Sequence, residues 1–72
     1  MNVLLLGAGH IGYTIAQLLH NTGDYQVLVA DRDLNSLKAI ADLGIATREV
    51  DSADSAALEA AMHGQDAVLN AL

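Results

Sequence analysis

Residues 2–12 read NVLLLGAGHIG, and this stretch decides the fold. Positions 3–6 are apolar without interruption, too few for a helix and suited to a strand buried on both faces. Gly7 ends the run. From position 10 the period changes. Ile11, Ile15, Leu18 and Leu19 fall at i, i+4, i+7 and i+8, so residues 10–20 read as a helix with these four facing inward. Between strand and helix lies Gly7-Ala8-Gly9-His10-Ile11-Gly12, a G-x-G-x-x-G pattern. Gly7 lets the chain turn sharply off the strand. Gly9 lets a pyrophosphate approach the backbone, and Gly12 lets the helix pack tightly on the sheet. The N–H groups of the helix's first turn then lie at the positive end of its dipole, where an anion is stabilised.

Working outward, the turn cluster 21–24 leads to Val27, Leu28 and Val29, a second buried strand over residues 26–30. Asp33 is a helix cap, and Leu34, Leu37, Ile40 and Ala41 give the following helix its apolar face. Gly44 stands where a helix end favours a left-handed residue. Residues 45–50 alternate like a sheet-edge strand. Ser52 or Asp54 caps a third helix reaching about His63, with Ala57, Leu58, Ala61 and Met62 inward. Residues 67–72 form a fourth apolar run. The order β-α-β-α-β-α-β with short connections predicts an α/β fold, a doubly wound parallel sheet, in part, with strand order 3-2-1-4.

The chain has 72 residues, enough for one domain, and 53% are hydrophobic. With aromatic residues limited to Tyr13 and Tyr25, the core is built from Leu, Ile, Val and Ala. The formal net charge is −6, and Arg32, Lys38 and Arg48 are the only Lys or Arg residues. They cannot assemble a phosphate-neutralising patch, so neither nucleic acid nor an anionic membrane surface is an expected partner. Cysteine is absent, which excludes a disulfide framework and thiol chemistry. No run approaches the ~20 apolar residues that span a bilayer. A cytoplasmic protein is expected, and the fourth strand offers an edge for a homodimer.

An acid, Asp31, closes the second strand about 20 residues after the glycines, where a carboxylate accepts hydrogen bonds from the adenosine ribose. The carboxylate would repel a 2′-phosphate, so NAD is expected ahead of NADP. Arg32 either pulls the other way, because a guanidinium pairs with a 2′-phosphate, or is a solvated charge near Asp33. His10, inside the glycine loop, is either a phosphate donor or an exposed bystander, and Ile11 shares the loop. Asp51 and Ser52 follow the third strand, where they either approach the adenine or form a capping turn. Ala71 lies at the end of the fourth strand, beside the crevice where strand order reverses. His20 and His63 have no metal-ligand spacing. The expected cofactor site is therefore Gly7, Gly9, His10, Ile11, Gly12, Asp31, Arg32, Asp51 and Ala71, with no metal.

The segments LLLGAGHIG, VLVADRD and LGIATREVDSADSAALEAAMHGQDAVLNAL resemble the N-terminal nucleotide-binding domain of the saccharopine dehydrogenase family. The likeness is carried by Val50, Asp51 and Asp54 after the third strand, by Gly64, Asp66, Ala67, Val68 and Asn70 around the fourth, and by Arg32 after the acid. It implies a Rossmann-like fold and an oxidoreductase that uses NAD(P) to interconvert an amino acid or amine with its imine or keto partner. The family's substrate domain has no counterpart in these residues, so catalytic residues are not assigned. The stop at Leu72 after an apolar run reads as a fragment of a larger dehydrogenase. A second resemblance, to the nucleotide-sensing domains of potassium transport systems, implies a regulatory ligand and no chemistry.

Overall fold

The computed structural model describes all of residues 1–72. Four strands, β1 (Asn2–Leu6), β2 (Gln26–Asp31), β3 (Ala46–Glu49) and β4 (Ala67–Asn70), alternate with helices α1 (His10–Thr22), α2 (Leu34–Ala41) and α3 (Ser55–Met62). All pairings are parallel and the sheet order is β3-β2-β1-β4. This is the predicted partial Rossmann-like sheet. The register sets Leu6 beside Ala30 and Leu6 beside Asn70, so the loops after β1, β2 and β4 leave the same end of the sheet together.

Alternation along β1 serves two cores. Leu5 joins Ala16 of α1, Leu37 and Ile40 of α2, Val27, Val29 and Ile45 on one face. Leu4 and Leu6 join Ala30, Val50 and Ala61 of α3 on the other. Burial of these branched side chains drives assembly, at roughly 25 cal/mol per Å² of apolar area removed from water.

Several sequence expectations shift. α1 runs two residues past His20, to Thr22, and Gly23 closes it at φ 76° with its N–H donated to the His20 carbonyl. Its inward stripe is Gly12 and Ala16, flanked by Tyr13, Ile15 and Leu19. Ile11 and Leu18 are 68% and 64% exposed. The reason is the close approach of Gly12 to the β1–α1 turn, which centres the small residues on the sheet and turns Ile11 and Leu18 away. In α2, Leu37 and Ile40 are buried while Leu34 and Ala41 are exposed. In α3, Ala61 is buried and Met62 is exposed, and Asp54 is the cap. β3 is four residues long, and Ile45 and Val50, just outside its two ends, feed opposite cores. β4 ends at Asn70, whose Oδ1 accepts the Leu72 N–H at 3.0 Å and turns the chain.

Candidate functional site

The glycine loop is assembled by contacts that admit no side chain at two of its three positions. Gly7 has φ 108°, and a Cβ there would sit 2.8 Å from the Ala71 carbonyl oxygen. A Cβ on Gly12 would lie inside the van der Waals envelope of the Gly7 carbonyl oxygen. Ala71 is therefore part of the loop's packing, and its N–H also donates to the Leu6 carbonyl at 2.7 Å. Gly9 differs. Its backbone is extended at φ −67°, and nothing lies within 4 Å of a Cβ built on it. The protein's own packing does not require glycine at position 9, but a group seated over the loop would.

The start of α1 is left open in a second sense. Gly9 is its N-cap, no side chain accepts from the first-turn N–H groups, and no acid stands in that turn. The first four N–H groups of a helix have no intrahelical acceptor. In α2 the Asp33 side chain accepts from Asn35 and Ser36, and in α3 Asp54 accepts from Ala57. His10 and Ile11 stand exposed in the first turn of α1, with no side-chain hydrogen bond from His10. Unpaired donors, a positive dipole end and an unfilled Cβ position together fit a diphosphate.

Asp31 ends β2 beside the loop. Its Oδ2 accepts the Ala8 N–H at 2.7 Å and its Oδ1 accepts the Asp33 N–H at 3.0 Å. Partial burial pushes its carboxyl pKa up. Hydrogen bonds from the Ala8, Asp33 and Arg32 backbone, with the Arg32 charge, outweigh that and hold it below the usual carboxylate value. A pocket lies next to it. Leu6, Ala30, Val50, Leu58 and Leu72 form apolar walls, and Asp31, Arg32 and Ser52 supply the polar rim. That combination, apolar walls with a few polar groups at the rim, is the chemistry that suits a heteroaromatic base.

The structure brings Gly7, Gly9, Gly12, Asp31, Arg32 and Ala71 to one end of the sheet. Asp51 is turned to a local task. Its Oδ1 accepts the Ala53 N–H at 2.9 Å and its carbonyl accepts the Asp54 N–H at 2.8 Å, and Ser52 lines the pocket instead. Sequence reasoning assigned Leu58 to the core alone and did not single out Val50, Leu58 or Leu72 as pocket walls. It also missed the Asp31–Ala8 bond, although the parallel pairing of Leu6 with Ala30 signals it by carrying Asp31 alongside Gly7. No group of three or more His, Asp or Glu residues is placed to hold a metal ion, and no helix is long and apolar enough to cross a membrane.

Comparison with known proteins agrees with this geometry. The family model described as "Saccharopine dehydrogenase NADP binding domain" matches residues 3–72. Saccharopine dehydrogenase (L-Glu forming) from Saccharomyces cerevisiae superposes with a TM-score of 0.88 at 32% identity, over 99% of this chain and 16% of that one. An NADPH-dependent quinone oxidoreductase from Escherichia coli superposes with a TM-score of 0.81 at 30% identity, over 94% of this chain and 26% of that one. The chain thus spans a minor part of the length of these proteins. No curated protein matches it. The nucleotide-sensor alternative draws no support from these matches, both of which are oxidoreductases. The chain belongs to the saccharopine dehydrogenase NADP-binding domain family and is a nicotinamide-dinucleotide-binding domain.

Proposed function

We propose that residues 1–72 are the N-terminal dinucleotide-binding portion of a longer oxidoreductase, and that its cofactor is NADP in preference to NAD. The observation that carries the binding reading is the start of α1, where first-turn donors lack a protein acceptor and Gly9 leaves room above them. The diphosphate would sit there, held by backbone dipoles, which is why a net charge of −6 does not oppose it. The adenine would enter the slot between Val50 and Leu58, with Ser52 at its rim.

The preference for NADP reverses the order expected from the acid at Asp31. Two of that carboxylate's acceptor positions are already taken by Ala8 and Asp33, and it is turned toward the loop. The adjoining Arg32 is exposed, lines the pocket, and is a cation that pairs with a 2′-phosphate. The family's description, which specifies NADP, points the same way. Isothermal titration with both dinucleotides tests this. NADP should bind about tenfold more tightly. Equal or tighter binding of NAD would reverse the preference, and binding of neither would remove the reading.

For the whole protein we infer hydride exchange between this cofactor and an amine/imine pair, supported by 32% identity to a saccharopine dehydrogenase. NADP supplies the hydride-accepting ring when bound. This chain's residues bind and orient it, while residues outside the 72 would hold the substrate against it. NADPH consumption with an oxo acid plus an amine, compared with a quinone, checks the substrate class. Turnover with the quinone alone would replace it.

A further inference from the structure

Asp31 stands where the three loops around the pocket meet. Its Oδ2 accepts from Ala8 in the β1–α1 loop and its Oδ1 from Asp33 in the β2–α2 loop. Its backbone carbonyl accepts the Val50 N–H at 2.9 Å, at the start of the β3–α3 loop. The bond to Ala8 matters most. Ala8 is 3% exposed, so without the carboxylate its N–H would be left without an acceptor in a place water hardly reaches. That bond fixes the plane of the Gly7–Ala8 peptide. The path of Gly9 and the aim of the first-turn donors of α1 follow from it.

We propose that Asp31 is a positioning residue for the diphosphate, holding the glycine loop in its ligand-ready shape through Ala8, apart from any contact with the adenosine sugar. The proposal rests on the reading of residues 7–12 as a dinucleotide site.

Inorganic pyrophosphate separates this role from sugar recognition, because it has no ribose. If Asp31 served the sugar alone, removing its negative charge would relieve repulsion on an approaching anion. Pyrophosphate affinity would then stay level or rise. If Asp31 positions the loop, affinity falls. Amide-resolved NMR titrations of the protein and of Asp31→Ala should give about tenfold weaker pyrophosphate binding in the variant. Asp31→Asn keeps an oxygen for the Ala8 N–H and should recover part of the loss. Level or tighter binding in Asp31→Ala overturns the proposal. Should that variant fail to fold, the unmodified protein decides. Its Ala8 amide proton should shift as acid protonates Asp31, and an Ala8 resonance indifferent to that titration overturns the proposal equally. Absence of NADP binding by the unmodified protein would instead strike the dinucleotide reading, so the two failures are distinct.

Discussion

α1 and α2 begin in the same way and finish their first turns differently. Each follows a strand of the parallel sheet at its carboxyl end, and each has an extended N-cap residue. The cap of α2 is Asp33, whose Oδ1 accepts from Asn35 at 3.0 Å and whose Oδ2 accepts the Ser36 hydroxyl at 3.1 Å. The cap of α1 is Gly9, which has nothing to offer. α3 follows α2, with Asp54 bonded to Ala57 at 3.1 Å. A capping side chain is worth about 1 kcal/mol, so a helix start without one forgoes stability that its neighbours take. The difference leaves α1 open for the ligand proposed above and the other two complete in themselves.

The largest effect is expected at the packing that makes the open start of α1 achievable. Gly12→Ala forces a methyl group into the Gly7 carbonyl oxygen, a backbone atom that cannot swing aside. Overpacking of this kind costs about 3 kcal/mol or more, a large share of what a domain this small holds. Thermal melting should show a large drop or no cooperative transition. A native-like melt would mean that α1 need not approach the loop closely.

Gly9→Asp tests the comparison directly, because it gives α1 the cap that α2 has. The backbone at position 9 is already in the extended region a cap residue uses, and the Cβ meets no protein atom. Melting temperature should hold or rise. NADP affinity should fall about 100-fold, since a carboxylate would occupy the donors and repel the diphosphate. Stability and affinity moving down together would break the contrast between the two helices.

Legibility divides along a physical line. The order of elements and strands was readable, though their ends were not. Alternating apolar runs and glycine breaks give the element order, right-handed crossovers and the doubly wound pattern give β3-β2-β1-β4, and Asp33 at a helix start gives its cap. What depends on where side chains turn in a loop was not. Ile11 and Leu18 fit an inward helical period, yet the approach of Gly12 turns them out. Asp51 and Ser52 are adjacent, and the turn that sends one into a local hydrogen bond sends the other to the pocket. Asp31 read as a free ribose acceptor because Ala8, a distant position in the chain, gives no local sign of needing its oxygen.

Arg32 and Asp31 sharpen the comparison from the far side of the site. Arg32→Ala should weaken NADP binding about tenfold and leave NAD binding unchanged, measured by titration calorimetry. Equal losses for both would assign the guanidinium to the diphosphate or to general field effects. Asp31 sets the acid limit. Its folded-state pKa lies below the ordinary carboxylate value, so the folded protein holds its proton less readily than the unfolded chain does. Its stabilisation is complete above about pH 5 and is lost as pH falls from there through the depressed value. Melting temperature followed downward from pH 5 should therefore decline more steeply in the protein than in Asp31→Asn. Parallel declines would detach that carboxylate from the loop.

The smallest effect is expected at the capped helix, and it is the control on which the contrast rests. Asp33→Ala removes the side-chain acceptor from the Asn35 and Ser36 N–H groups but keeps the backbone N–H that Asp33 donates to Asp31. The cost is about 1 kcal/mol, read as a modest fall in melting temperature. NADP affinity should not change, because the α2 cap serves only its own helix. If affinity fell by the factor of five that this energy represents, the cap would be acting through Asp31 on the glycine loop. The two helix starts would then form one coupled structure, with α2's completeness a condition for α1's openness.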